Sequence, residues 1–311
     1  MGKIAFVFSG QGAQYPGMGE SLYAASPAVR ALYELAEAAR PGISALSFHG
    51  TAEELKQTVN TQPALYLVDL GAALALKEAG IVPDAVGGFS LGELPALAFA
   101  GACSAETGFG LVLKRAAYMA EASEEMPDPP AMAAVMRLSP AEIESLCEGI
   151  DNVWPANYNA PEQTVISGTA AGVAAFKQLC ADRGIAARLV DLPVSGAFHT
   201  PFMAPASEKF APVLESTAFS APKIPAYANL TGGLYPEDPS EFAGILARQI
   251  KNPVRWTDEI RAMIADGVDT FVECGPGKTL CGLIKKIDKT VTVHQAENEE
   301  TLRAAVSAIL G

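Results

Sequence analysis

Gly88-Phe89-Ser90-Leu91-Gly92 is the most informative segment of this 311-residue chain. The residues before it, 84–87, have the composition of the end of a buried strand, and residues 91–102 that of a helix start. A serine between glycines at a strand-to-helix turn is the nucleophile-elbow motif, although a plain Gly-rich turn could have the same letters. The turn is so tight that a Cβ at either flanking glycine would collide with neighbouring backbone. The N–H that follows the serine then lies at a helix N-terminus, where it can face developing negative charge.

Composition limits the class of protein. The chain has 311 residues, of which 50% are hydrophobic and 18% charged, which predicts a large core in one large domain or two unequal ones. No membrane span is expected, since the apolar stretch 64–76 is broken by Asp69. The first eight residues predict a strand, with too short an apolar part for a secretory signal.

Cysteine, histidine and charge limit the partners. Five scattered cysteines without a C-x-x-C pair predict free thiols in a reducing cytoplasm. Three histidines without ligand spacing predict no metal site. A net charge of −13 argues against nucleic acid as a partner. A lysine cluster near the C-terminus could contact an acidic partner, but a solvated helix face is the favoured interpretation (Lys278, Lys285, Lys286 and Lys289).

The first part of the chain alternates strand and helix patterns. The predicted strands are 4–8 and 85–88, and the predicted helices are 26–39, 62–80 and 105–124. This alternation predicts an α/β sheet with crossover helices.

A Pro-rich, acidic break at residues 124–130 changes this rhythm. The elements predicted after it are a strand at 131–138, a helix from Pro140 capped by Ser139, strands at 153–157 and 164–167, a helix at 170–183 and a strand at 187–192. The order β-α-β-β-α-β is that of a ferredoxin-like unit. We therefore expect a small subdomain at 126–192, inserted into a large domain of residues 1–125 and 193–311.

A serine nucleophile needs a base, and three histidines are available. His199 lies in the irregular loop 194–200 at the expected hinge between the two parts, where sites tend to form. The alternatives are His49, expected in a loop, and His294, in a late strand pattern. The orienting acid is not evident. Asp191 is more simply explained as a surface carboxylate, and an amide or a backbone carbonyl could hold the imidazole instead.

Two further segments carry candidate binding groups. The loop Ser9-Gly10-Gln11-Gly12-Ala13-Gln14 follows the first strand, so the N–H of Gln11 is a candidate second oxyanion donor. Arg115 lies among apolar residues of a helix. Facing inward, it would need an anion, and a guanidinium binds a carboxylate in bidentate fashion. A surface Lys-Arg pair is the equal alternative.

Taken together, these segments resemble the malonyl-CoA:acyl-carrier-protein transacylase family of fatty-acid and polyketide synthesis. The resemblance runs over nearly the whole chain and rests on segments 8–14 and 88–93, on Arg115 and Met119 before 131–135, and on 157–161, Gln163, 165–168, 197–199, Gln249, 253–256 and 272–277. It implies an α/β-hydrolase-like core with an inserted ferredoxin-like subdomain.

The resemblance also implies a role for each matching residue. Ser90 would carry the acyl group, His199 would be the base, and the N–H groups of Leu91 and Gln11 would form the oxyanion hole. Arg115 would bind the free carboxylate of malonate. The remaining roles are Gln249 holding His199, Asn159 lining the site and Phe198 narrowing the pocket.

The function expected from this resemblance is ping-pong transfer of malonyl to the phosphopantetheine thiol of acyl carrier protein. Malonyl-CoA and CoA are then substrate and product, with no bound cofactor. The alternatives are a polyketide or malonate-decarboxylase acyltransferase, a serine thioesterase or hydrolase, and a non-catalytic carrier-binding module. Nothing in the sequence demands more than a monomer.

Two positions depart from the family pattern. Phe89 stands where the family usually has histidine, which is expected to change the pocket mouth but not the base. Pro95 lies in the first turns after the elbow, where it offers no N–H to the carbonyl of Leu91 and is expected to distort the helix start.

Overall fold

A four-stranded parallel sheet forms the centre of the molecule, with the strands in the spatial order 292–296, 268–274, 3–8 and 85–88. The structure is a computed structural model that describes residues 2–311. The strands of this sheet are β1 (Lys3–Phe8), β2 (Ala85–Gly88), β9 (Val268–Cys274) and β10 (Thr292–Ala296). Parallel strands need crossover connections, and helices lie between each sequential pair.

Strand β1 shows why the sheet sits in the core. Ile4, Phe6 and Phe8 pack into the larger hydrophobic cluster on one face. Ala5 and Val7 pack into a second cluster on the other face. A central parallel strand is covered on both faces, so β1 is apolar at every position from Ile4 to Phe8 instead of alternating.

The helices cover these two faces. They are α1 (Glu20–Ala25), α2 (Pro27–Ala39), α3 (Ile43–His49), α4 (Ala52–Lys56), α5 (Thr58–Glu78), α6 (Glu93–Phe99), α7 (Ala105–Glu124), α10 (Ala204–Glu215), α11 (Phe242–Gln249), α12 (Trp256–Ala265), α13 (Thr279–Ile287) and α14 (Glu299–Leu310). Helices α5 and α6 contact β1 on one face, while α12 and α13 contact β9 and contribute Trp256 and Ile284 to the second cluster.

Residues 130–192 form a second, antiparallel sheet with the strand order β4-β5-β3-β6. Its elements are β3 (Pro130–Met136), α8 (Pro140–Cys147), β4 (Val153–Ala160), β5 (Gln163–Thr169), α9 (Ala170–Asp182) and β6 (Arg188–Leu192). A separate cluster around Ile143 and Phe176 forms its core. Two short strands, β7 (Tyr227–Ala228) and β8 (Gly233–Leu234), pair near β2.

The sequence predicted the mixed α/β class, which is confirmed. Helix α7 has the predicted bounds, and Ser26 and Ser139 cap α2 and α8. The loop expected around His49 is wrong, because His49 is the last residue of α3. That helix is too short to leave a periodic signal. Within residues 2–311, no helix combines the length and apolar character that crossing a membrane requires.

Candidate active site

At the elbow around Ser90, two glycines allow neighbouring backbone segments to approach closely. A Cβ on Gly88 would lie 2.0 Å from the carbonyl carbon of Gly92. A Cβ on Gly92 would lie 2.3 Å from the carbonyl oxygen of Phe8. Ser90 itself has φ of +54°, in the left-handed region that a side chain rarely occupies. The chain then makes a 3₁₀ turn, Ser90–Gly92, before α6 begins.

Pro95 does not break this helix. It is the third residue of α6, where the N–H of any residue would lack an intrahelical partner. The helix start expected to be distorted is instead preceded by the 3₁₀ turn. At the end of that turn the N–H of Glu93 donates to the carbonyls of Ser90 and Leu91. Phe89 packs its ring against Trp256, with the ring centroids 5.5 Å apart.

His199 lies next to the serine, 2.8 Å from Oγ of Ser90 through Nε2. Its Nδ1 is 2.9 Å from the backbone carbonyl oxygen of Gln249 and 3.1 Å from that of Asn252. Two carbonyls can only accept, so Nδ1 carries the hydrogen and Nε2 is free to accept the proton of Ser90. The backbone of Gln249 therefore orients the ring, while the side chain of that residue points elsewhere.

Burial sets the protonation state of this histidine. The side chain is 3% exposed. Burial first, and then the charge of Arg115, lowers the pKa of His199 from 6.5 to about 4, and the two carbonyl hydrogen bonds offset this in part. The imidazole is thus neutral, and competent as a base, at neutral pH.

Arg115 brings a buried charge to the same point. Its side chain faces inward from α7 and is 2% exposed. Nη2 donates to Oγ of Ser90 and to Oε1 of Gln249, each at 3.0 Å, and Nη1 donates to Oε1 of Gln62 at 2.9 Å. Within residues 2–311 no carboxylate forms an ion pair with it. Burial lowers the pKa of Arg115 to about 10, so the guanidinium remains charged.

A cavity of about 290 Å³ opens onto these groups. Besides Ser90, His199 and Arg115, its lining includes three other residues singled out from the sequence, Gln11, Phe198 and Asn159. Asn159 is 7% exposed, and its Oδ1 has no hydrogen-bond partner among the described residues. A buried, unpaired amide oxygen at a cavity wall is suited to accept a hydrogen bond from a ligand.

Two backbone N–H groups remain available near the serine. Those of Gln11 and Leu91 donate to no acceptor within the part of the chain that the structure describes. The loop that carries Gln11 runs tightly against the elbow, since a Cβ on Gly10 would lie 2.7 Å from the carbonyl oxygen of Phe89. Both donors are therefore free to face an oxyanion formed at Ser90.

Comparison with known proteins places the chain in a family. Residues 5–305 match the family model described as acyl transferase domain. The chain belongs to the acyl transferase domain family. It is 38% identical to the malonyl CoA-acyl carrier protein transacylase of Bacillus subtilis, over 99% of this chain and 98% of that protein.

Solved structures of similar acyltransferases share the whole fold. One is the malonyl CoA-acyl carrier protein transacylase of Clostridium perfringens, with a TM-score of 0.94, 34% identity and coverage of 99% of this chain and 97% of that one. Another is a malonyl-transacylase in complex with its type II polyketide acyl-carrier protein, with a TM-score of 0.92 and 32% identity over 98% and 99% of the two chains.

The other histidines and Asp191 lie apart from this acyltransferase site. His49 is exposed and His294 is half-buried in β10, and neither lines the cavity. Asp191 is an exposed carboxylate paired with Lys177. Within residues 2–311 no group of three or more His, Cys, Asp and Glu side chains could hold a metal ion.

The sequence did not assign roles to three buried polar residues of this acyltransferase. Gln62 holds Arg115, while Asn229 and Glu93 lie behind the elbow. A polar side chain in an apolar helix, such as Gln62 in α5, is the signal that could have indicated the first. Asn229 lies in a short irregular segment, which has no pattern from which to infer its position.

Proposed function

We propose that the protein transfers malonyl groups from malonyl-CoA to the phosphopantetheine thiol of acyl carrier protein, through a malonyl-Ser90 intermediate, in fatty-acid synthesis. The names of the similar transacylases support this substrate pair. The single observation that carries the proposal is the Arg115 guanidinium. It is buried, lies within hydrogen-bond distance of the nucleophile and has no carboxylate partner among residues 2–311.

A carboxylate completes the site electrostatically. A buried cation without a counter-ion is costly, and malonyl brings a carboxylate that can accept both N–H groups of one guanidinium edge. An acetyl group would leave the charge unpaired, so Arg115 selects for malonyl. Phe198 would then limit the space around the acyl group, and Asn159 would bind its polar atoms.

The first half-reaction makes the acyl-enzyme. Ser90 Oγ attacks the thioester carbonyl as its proton passes to Nε2 of His199. The N–H groups of Gln11 and Leu91 stabilise the oxyanion. The C–S bond then breaks, and the His199 imidazolium returns the proton to the departing CoA thiolate.

The second half-reaction runs through the same groups. The phosphopantetheine thiol gives its proton to His199 and attacks the ester carbonyl of malonyl-Ser90. The C–O bond breaks, the proton returns to Oγ, and the malonyl thioester leaves on the carrier. In this scheme malonyl-CoA is the substrate and CoA the product, and no bound cofactor is required.

The fold assignment is part of the proposal. We assign the parallel sheet and its helices, residues 1–125 and 193–311, to an α/β-hydrolase-like domain. Residues 126–192 form a ferredoxin-like subdomain, an assignment supported by the strand order β4-β5-β3-β6 with all neighbours antiparallel.

The cellular setting is also proposed. A monomer is supported by a site whose nucleophile, base and guanidinium all come from one chain. The five cysteines, free of disulfides among the described residues, support a cytoplasmic location. The net charge of −13 supports the proposal that nucleic acids and anionic membranes are not partners of the protein.

Steady-state kinetics tests the proposal. Varying malonyl-CoA at several carrier-protein concentrations should give parallel double-reciprocal lines, because the two substrates react in separate half-reactions. Without carrier, CoA thiol should appear in a burst of one equivalent per enzyme and then stop. Continued release of CoA would favour the thioesterase alternative, and intersecting lines would exclude the acyl-enzyme.

A further inference from the structure

We propose that Asn229 is a positioning residue for Ser90, and that the buried carboxyl groups of Glu93 and Glu259 hold it in place. This role of Asn229 depends on the proposed function only for the identity of the enzyme's natural substrate. It assigns a role to three side chains behind the elbow that do not touch the acyl group.

Asn229 braces both ends of the turn. Its Oδ1 accepts the backbone N–H of Ser90 at 2.6 Å, and its Nδ2 donates to the carbonyl of Gly88 at 2.6 Å. One amide thus ties the last residue of β2 to the nucleophile, across Phe89. Because Ser90 occupies the left-handed region, its backbone needs such surrounding bonds to persist there.

The second backbone group of Ser90 is held from the same network. Its carbonyl accepts from Nε2 of Gln249 at 2.7 Å. That Nε2 also donates to Oε2 of Glu93 at 2.8 Å, and the backbone N–H of Asn229 lies 3.3 Å from the same oxygen. The other oxygen of Glu93 accepts from the hydroxyl of Tyr235. Both residues that hold Ser90 therefore bond to the carboxylate of Glu93, Gln249 through its side chain and Asn229 through its backbone N–H.

Glu259 completes the network from α12. Its Oε2 accepts from Nδ2 of Asn229 at 2.7 Å, while Oε1 is buried without a hydrogen-bond partner in the described chain. A Cβ on Gly87 would lie 2.3 Å from that Oε1, so the strand admits the carboxyl only because a glycine stands there. A fully buried carboxyl with one donor is better solvated as the neutral acid, and burial together with the charge of Glu93 raises the pKa of Glu259.

Glu93 lies one residue away from Arg115, because Gln249 contacts both side chains, whereas Glu259 contacts only Asn229 in this network. Burial raises the pKa of Glu93 to about 7, and its three donors and the charge of Arg115 oppose that rise. The network holds the nucleophile while leaving the N–H of Leu91 as the free donor of the elbow.

The test compares Asn229→Ala and Asn229→Asp with Ser207→Ala. Ser207 is a buried hydroxyl that donates to the carbonyl of Ala247 and does not contact the elbow, so the control removes a buried hydrogen bond only. The readouts are the rate of Ser90 labelling by a fluorophosphonate, the kcat and KM of malonyl transfer, and folding by circular dichroism. Asn229→Ala should lower the labelling rate and kcat about 10²-fold in folded protein, with KM for malonyl-CoA nearly unchanged. Ser207→Ala should keep both rates.

Asn229→Asp supplies a signature that a purely structural role would not give. An ionised aspartate keeps the acceptor for Ser90 but loses the donors to Gly88 and to Glu259. Protonation restores one donor, so the rate relative to wild type should rise as the pH falls through the pKa of the new carboxyl, which burial beside Glu93 and Glu259 raises. The titratable groups that face position 229 are Glu93 and Glu259, with Tyr235 and Arg115 one contact further.

Wild-type rates in folded Asn229→Ala would overturn the proposal. So would a rate of Asn229→Asp that stays in constant ratio to the wild-type rate as the pH changes. Fluorophosphonate needs no malonyl group. Wild-type enzyme that reacts with this probe but not with malonyl-CoA would therefore refute the proposed function and leave the role of Asn229 to be decided by the labelling rates alone.

Discussion

At the scale of single residues, the site depends on charge placed where water is excluded. Arg115 donates to the nucleophile, to Gln249 and to Gln62, yet no carboxylate of the described chain pairs with it. The side chains that hold it are neutral amides. These amides thus hold the guanidinium in position, and under the proposed function the carboxylate of the substrate meets its charge.

Arg115→Ala should lose selectivity between acyl groups. Loading of Ser90 from malonyl-CoA should fall while loading from acetyl-CoA is retained or rises, so that the malonyl-to-acetyl ratio of kcat/KM drops at least about 10²-fold. Lys114→Ala is the matched control, since Lys114 precedes Arg115 on α7 and is exposed. An unchanged ratio in Arg115→Ala would remove the carboxylate-binding role.

The pH dependence of loading should report the burial of His199. The active form is the neutral base, and a lowered pKa means that kcat/KM holds as pH falls past 6.5 and declines only near pH 4. In Arg115→Ala the acidic limb should move to higher pH, because one of the two causes of the lowered pKa is removed. A wild-type limb at the ordinary pKa of histidine would contradict this.

Folding must be followed in the same experiment. A histidine with a lowered pKa binds fewer protons in the native state than in the unfolded state between pH 6.5 and about 4. Stability from this group is therefore complete above pH 6.5 and declines as pH falls through that window. Circular dichroism at each pH separates loss of the base from loss of the fold.

At the scale of elements, the elbow depends on glycines at fixed points. Gly88→Ala puts a Cβ against the backbone at Gly92, which rigid secondary structure cannot avoid. The variant should lose about 1–3 kcal/mol in the free energy of unfolding, and the labelling of Ser90 should fall with it. Gly110→Ala, in α7 with nothing within 4 Å of its Cβ, should be neutral or stabilising. Urea unfolding of the pair measures this, and equal stabilities would contradict the steric account.

Long elements could be predicted from the sequence, and short ones could not. Helix α7 and strand β1 have enough periodic or continuous apolar positions to reveal their type. Helices α3 and α4 have seven and five residues, too few for a pattern, and their packing against α5 holds them. Strand β4 extends past its predicted end because it pairs with β5 as far as Ala160.

The sequence indicated candidate residues of the site but not their atomic contacts. The motif at Ser90 and the hinge position of His199 singled out two residues that the structure places side by side, because chemistry limits which side chains can serve. The backbone carbonyl of Gln249, and not its amide, contacts the imidazole, a distinction that no sequence pattern contains. Likewise Asn229 reaches the elbow from 139 positions away in the chain, a contact that no local pattern contains.

At the scale of the whole molecule, the cavity is shared between the two sheets. Ser90 and Arg115 come from the part built on the parallel sheet, whereas Asn159 belongs to β4 of the antiparallel sheet. The two are tied by backbone hydrogen bonds at 2.9 Å, from Tyr158 to the carbonyl of Val254 and from Val254 to that of Ala156. The second sheet thus forms one wall of the cavity that Ser90 lines.

The mass of the Ser90 peptide shows whether the enzyme forms a malonyl-serine intermediate. Enzyme incubated with malonyl-CoA and digested at once should carry one malonyl group on that peptide, and Ser90→Ala should carry none. Adding carrier protein with its phosphopantetheine arm should move the group to the carrier thiol faster than water removes it. A peptide that stays unmodified, or a malonyl group released only as free malonate, would contradict the account.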